Sequence, residues 1–150
     1  MNSKKLNSNT YFKNFVVVIL IFIFLFLLYY LVSKRIYELY SENDPIIIRI
    51  KKNLMKLDSS AEKIRIYESN KSYTINKKII YICIKNKKNQ YYDFNMLMYV
   101  AIHELAHVLC DEIGHTKKFY SIFNNLLDKA ENLNMYNPTI PIISNYCEHN

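Results

Sequence analysis

The sequence predicts an α+β protein, with one membrane-spanning helix followed by a small domain of about three strands packed with three helices. Three observations carry this. Residues 15–32, FVVVILIFIFLFLLYYLV, are eighteen in a row without a charge. Two later runs, Lys63-Ile64-Arg65-Ile66-Tyr67 and Ile79-Ile80-Tyr81-Ile82-Cys83-Ile84, alternate or are continuously apolar and rich in isoleucine, as strands are. Three segments, near 46–57, 95–110 and 116–127, carry the apolar residues of helices, the first and last of them on one face.

These elements divide the 150 residues into a basic tail (1–14), a transmembrane anchor (15–32), a stalk (33–45) and one catalytic-sized domain (46–150). At about 1.5 Å per residue the apolar run spans about 27 Å, close to the thickness of a bilayer core. Tyr29 and Tyr30 stand near one end, where aromatic belts form. No small-residue cleavage site follows it, which favours an uncleaved single-pass anchor over a signal peptide. Lys4, Lys5 and Lys13 precede the span, and Lys34, Arg35, Arg49, Lys51 and Lys52 follow it, so the positive-inside rule assigns no side.

Beyond the anchor, residues 35–43 read as a polar helical stalk that stops at Asp44-Pro45. Residues 46–57 form a helix with lysines on the face away from the sheet. A strand at 63–67, a turn at 69–72 and a second strand beginning at Tyr73-Thr74-Ile75 follow. The clearest strand is 79–84, with a turn at 86–89. Asp93 or Asn95 caps the next helix, which runs to about Cys110. The last helix starts near Thr116 and places Phe119, Ile122, Phe123, Leu126 and Leu127 on one face, with Lys129 and Glu131 outward. Pro138 and Pro141 mark an extended tail over 136–147.

Charge and cysteine content say less. The net charge of +7 divides into +3 before the anchor and +4 after it. Lys77, Lys78, Lys85, Lys87 and Lys88 form a basic cluster for which a solvated surface is the first reading and phosphate contact the second. The bias toward Lys, Asn, Ile and Tyr resembles that of an AT-rich coding genome and weakens inference from the basic balance. Three cysteines are an odd number and make no full disulfide framework. Cys83 and Cys110 read as small buried hydrophobes. Cys147, near the C-terminus, is a remote candidate for a metal.

The chemistry is concentrated in His103-Glu104-Leu105-Ala106-His107. Residues four apart share a helix face, so His103 and His107 aim two imidazoles at one ion. Glu104 lies about 100° around the helix, within reach of a metal-activated water without being a ligand. The pattern is His-Glu-x-x-His, with zinc as the expected cofactor and Glu104 as general base. It stands in a helix that is apolar on nearly all sides, where unpaired imidazoles and a carboxylate are costly. A catalytic zinc takes three protein ligands and keeps one position open. His115 is the first candidate for the third, because Gly114, the only glycine of the chain, permits the turn that brings it back. Asp111 is the competitor, four residues beyond His107 on a continuing helix. Glu112 and Glu131 are weaker alternatives.

The segment from His103 through Gly114-His115-Thr116-Lys117-Lys118-Phe119 resembles the small zincin metallopeptidases of the WLM and SprT-like groups, and a type of short membrane-anchored viral zincin. The resemblance covers roughly 60 to 147 and is strongest over 92 to 120. It implies a zincin-like fold, zinc bound by His103, His107 and His115, and Glu104 as the base. The interval between His107 and His115 is longer than in many such families. It also implies a protein or peptide substrate, held in extended form against a strand, for which 79–84 is the candidate. Tyr120 and Tyr146, and then Tyr99, are candidates for an oxyanion or substrate contact.

The expected function is therefore that of a membrane-anchored zinc metallopeptidase. The alternatives are a catalytically inactive zincin-fold scaffold or assembly protein, and a peptidase acting on nucleic-acid-associated proteins. Which membrane it enters, its substrate and its oligomeric state are not legible in the residues.

Overall fold

The computed structural model describes residues 8–147, with side chains from residue 11 onward. Lys4 and Lys5 of the expected basic tail lie outside the described residues. The chain forms two compact units, Met1–Tyr37 and Glu38–Asn150.

Helix α1 (Ser8–Glu42) fills the described part of the first unit. It is long and apolar enough to cross a membrane, and none of its most apolar eighteen-residue stretch is buried. Apolar side chains cover it on every side over residues 15–32, with no polar stripe to meet water.

The second unit is α+β and takes in the last turn of α1. Here the stalk boundary moves. Ser41 is buried and its hydroxyl accepts the backbone N–H of Glu68, so this end of the expected stalk belongs to the domain. Tyr81 likewise donates to Glu38 at 3.3 Å. Helix α2 (Pro45–Leu57) starts where the sequence predicts. The Asp44 side chain accepts from Ile46 N at 2.8 Å, and Pro45 occupies a first-turn position that needs no N–H. Its buried residues Ile47, Ile50, Leu54 and Leu57 recur at helical spacing. Asp58 then ends α2 and caps a single 3₁₀ turn (Ser59–Lys63) that leads to the sheet.

The sheet has three strands, β1 (Arg65–Glu68), β2 (Tyr73–Ile75) and β3 (Ile79–Ile82), in the order β1-β3-β2. Strand β3 pairs in parallel with β1, with Ile66 opposite Ile80, and antiparallel with β2, with Thr74 opposite Ile80. Asn76 and Lys77, both left-handed in φ, turn the chain between β2 and β3. This corrects one expectation. The strand within the run 79–84 is Ile79–Ile82, and it is central, with β1 on one side and β2 on the other, so it offers no free edge. Strands β1 and β2 are the two edges.

Helix α3 (Phe94–Leu109) lies at the centre of the domain, capped by Asp93, which accepts from Asn95 N at 2.8 Å. Helix α4 (Lys117–Asn132) packs on it through Phe119, Phe123, Leu126 and Ala130. Lys129 is exposed along its stem, but its ammonium group donates to the Leu57 carbonyl at the end of α2 and does not point freely outward. Two lysines of the basic cluster are similarly engaged. Lys77 donates to the Cys110 carbonyl at the end of α3, and Lys85 pairs with Glu68 at 3.1 Å and with Asp44 at 3.8 Å. These bonds leave less of the cluster for phosphates.

The tail holds a further correction. Cys147 forms a disulfide with Cys83, their Cα atoms 6.2 Å apart, and Cys110 is left as the buried free thiol. Cys83 is thus a cross-link as well as a buried residue, and Cys147 is committed to it and not to a metal.

Candidate metal centre

Helix α3 delivers the first two imidazoles. His103 and His107 stand one turn apart on its face toward α4, their ring centroids 4.9 Å apart. The helix then stops. Cys110 takes an extended conformation, and the Lys77 ammonium group bonds its carbonyl. Gly114 adopts φ +82, a left-handed conformation that only glycine enters without cost. Thr116 accepts from Phe119 N at 3.2 Å and opens α4. The stretch from Cys110 to Thr116 therefore reverses the chain and carries His115 back over α3.

The result is a convergence of three nitrogens. His115 Nε2 lies 3.0 Å from His103 Nε2 and 3.1 Å from His107 Nε2. All three ligand atoms fall within 4.8 Å of one another. Tetrahedral zinc with Zn–N bonds of about 2.05 Å requires about 3.3 Å between ligand nitrogens, so the spacing fits one ion. The chemistry of the donors fits as well. A neutral imidazole carries one N–H, and a single proton bridges only one pair of nitrogens, whereas an ion accepts all three lone pairs. Burial pushes the His103 imidazole down to about 4, with His107 and His115 adding to the effect, and burial also lowers His107. The neutral form that results is the one that ligates metal.

Beneath the three rings lies Phe119, fully buried, with centroid distances of 5.0, 4.4 and 4.7 Å to His103, His107 and His115. It gives the imidazoles an apolar floor and restricts how far each ring can turn.

Asp111 and Glu131 do not join the cluster. Because α3 ends at Leu109, Asp111 leaves the helix face that would have aimed it at the ion, and it pairs instead with Lys118 at 2.7 Å. Glu131 borders a separate depression beside Asn134 and Pro138. Glu112 lines the histidine cleft but is exposed.

Glu104 points toward the sheet and is 5% exposed. Thr74 on β2 donates to its Oε2 at 2.8 Å and lies 3.1 Å from its backbone carbonyl. Burial raises the Glu104 carboxyl, and the Thr74 bond opposes that rise. Glu104 and the histidines line one cleft of about 530 Å³, walled on its other side by Ser72, Tyr73, Thr74, Asn76 and Lys77. At its rim Ile113 is 95% exposed.

Of the three expected tyrosines, Tyr120 is the one with a ring contact to the cluster, 6.1 Å from that of His115, and it is 51% exposed; Tyr73, which the sequence did not single out, lines the cleft itself. The Tyr146 hydroxyl is taken up by the Cys83 carbonyl and by Ser72 at 3.0 Å, and burial pushes its ionisation up. Tyr99 packs against Phe123 and Tyr136. Thr74 was not legible as a site residue, since a threonine in a three-residue strand gives no signal before the strand's neighbour is known.

Gly114→Ala tests the turn. No atom lies within 4 Å of the added methyl, so only the left-handed backbone opposes it. We expect a loss of about 1–2 kcal/mol in thermal unfolding and weaker zinc retention, because the strain falls one residue from His115. Unchanged zinc affinity would show that the turn tolerates a side chain.

No family profile matches the chain, and no solved structure does. Three viral proteins are similar to it in sequence. An uncharacterized protein of Invertebrate iridescent virus 6 is 54% identical over 88 residues, which cover 57% of this chain and 49% of that protein. An uncharacterized protein of Invertebrate iridescent virus 3 is 49% identical over 85 residues, covering 56% and 54%. One of Acanthamoeba polyphaga mimivirus is 35% identical over 102 residues, covering 63% and 52%. The chain spans about half the length of these curated relatives.

Proposed function

We propose that this chain is a membrane-anchored zinc peptidase of the zincin type, related to viral proteins and tethered by α1. The observation that carries the reading is the convergence of three imidazole Nε2 atoms beside a buried carboxylate at the wall of an open cleft. Three ligands leave a tetrahedral ion one position for reaction, whereas structural zinc sites are closed by four. This favours chemistry over scaffolding.

His103, His107 and His115 would hold the metal. Zinc bound there supplies Lewis-acid activation of water and of a peptide carbonyl. Glu104 takes the proton of the attacking water and returns it to the leaving amine. Strand β2, an edge strand whose residues line the cleft, would hold the substrate backbone in extended form, with little demand on sequence. Tyr120, whose ring lies beside that of His115, is the candidate for a further substrate contact. The uninterrupted apolar surface of α1 needs a non-aqueous cover, and a bilayer provides it.

The test uses the full chain in lipid nanodiscs. We expect one zinc per chain by atomic absorption, and cleavage of unfolded casein that a chelator removes and added zinc restores. Less than about 0.5 zinc per chain after loading would defeat the reading.

A further inference from the structure

We propose that Thr74 is a positioning residue for Glu104, and that β2 thereby couples the base to the substrate. The proposal rests on the peptidase reading. The motivating geometry is the Thr74 hydroxyl, which donates to Glu104 Oε2 at 2.8 Å and lies 3.1 Å from the Glu104 carbonyl. A glutamate side chain has three rotatable bonds. Few of its rotamers would aim an oxygen at a water held by a metal on the three histidines. The threonine bond occupies Oε2 and fixes the plane of the carboxylate, leaving Oε1 to accept the proton.

Thr74 itself is held firmly. It is the middle residue of β2, in register with Ile80 of the central strand. Its β-branched side chain has restricted χ1 freedom. The backbone of the same strand forms one edge of the sheet, the one whose residues line the cleft. One element therefore sets both the orientation of the base and the line along which an extended substrate lies. Displacement of β2 would disturb the aim of the base and the line of the substrate at once, which matters because small misplacements in an active site cost large factors in rate. A structural role alone, the pairing of a buried carboxylate, would be served by any donor. The positioning role needs this hydroxyl at this place.

Thr74→Val and Thr74→Ser are compared in the full chain in nanodiscs. Valine keeps shape and strand propensity and removes the hydroxyl, while serine keeps it. We expect Thr74→Val to bind one zinc per chain, to keep KM within about twofold and to lose kcat by about 10–100-fold. Thr74→Ser should recover most of that loss. The Glu104 side-chain carboxyl ¹³C resonance of the metal-free protein should move in Thr74→Val and stay in place in Thr74→Ser. The proposal is overturned if Thr74→Val keeps kcat within about twofold, if serine is as slow as valine, or if the resonance is unmoved. An inactive wild type removes the peptidase reading, and a moved resonance in that case upholds the hold of Thr74 on Glu104.

Discussion

Glu104→Gln is expected to leave one zinc per chain in place and to slow peptide cleavage by about 10²–10⁴-fold. The reason lies in what the substitution keeps. Glutamine has the shape of glutamate, and its carbonyl oxygen can still accept the Thr74 hydroxyl, so the wall of the cleft is not disturbed. His103 immediately precedes Glu104, His107 lies on the next turn and His115 follows Gly114 in the loop, and none of them needs the carboxylate to converge. What is lost is a group that can take a proton. Zinc content and kcat are measured on the same preparation. Turnover within tenfold of wild type would show that another group acts as the base, and loss of zinc would show that Glu104 is part of the metal site. Folded protein with full zinc and no cleavage in either form would favour a scaffold.

The helices were legible in the sequence because each carries its own signals. Asp44-Pro45 opens α2, and Asp93 opens α3. The apolar spacing of α2 and α4 faces the core as expected, and the third helix is apolar because it lies in the middle. The histidines were legible for the same reason, since four-residue spacing is geometry once the helix is granted. His115 needed one further step, and the lone glycine supplied it.

What was not legible depends on pairs distant in sequence. Strand order is one case. The isoleucine run of β3 reads as a buried strand, but nothing local says that β1 and β2 take both of its edges and leave β2 beside the cleft. Thr74 becomes informative only once that order is known. The end of the stalk is another: Ser41 is a polar residue in a polar helix until Glu68 is placed against it. Lys77 and Lys85 read as solvated charge, yet each satisfies a specific oxygen across the fold. The cysteine count was least helpful, because a single bridge and one free thiol make an odd number that resembles no framework.

That bridge is the site of the second large effect. Cys147→Ser, or reduction of the wild type, is expected to lower stability by about 4 kcal/mol. Cys83 and Cys147 are 64 residues apart, and closing a loop of that size removes about this much chain entropy from the unfolded state. In a domain of this size the unfolding midpoint should fall by about 15–20 °C. The consequences extend beyond the tail. Tyr146 precedes the bridge and holds Ser72, whose hydroxyl also accepts the Cys83 N–H at 3.0 Å. Ser72 in turn lines the cleft immediately before β2. Release of the tail should therefore loosen the β2 wall while the three histidines, carried by α3 and its following loop, keep their convergence. Thermal unfolding with and without reductant is read together with a thiol count in denaturant. The untreated protein should titrate one thiol, Cys110, and the reduced protein three. Three thiols without reductant, with an unchanged midpoint, would show that the bridge does not form, and the stability of the tail would then rest on Tyr146 and its packing against Tyr92.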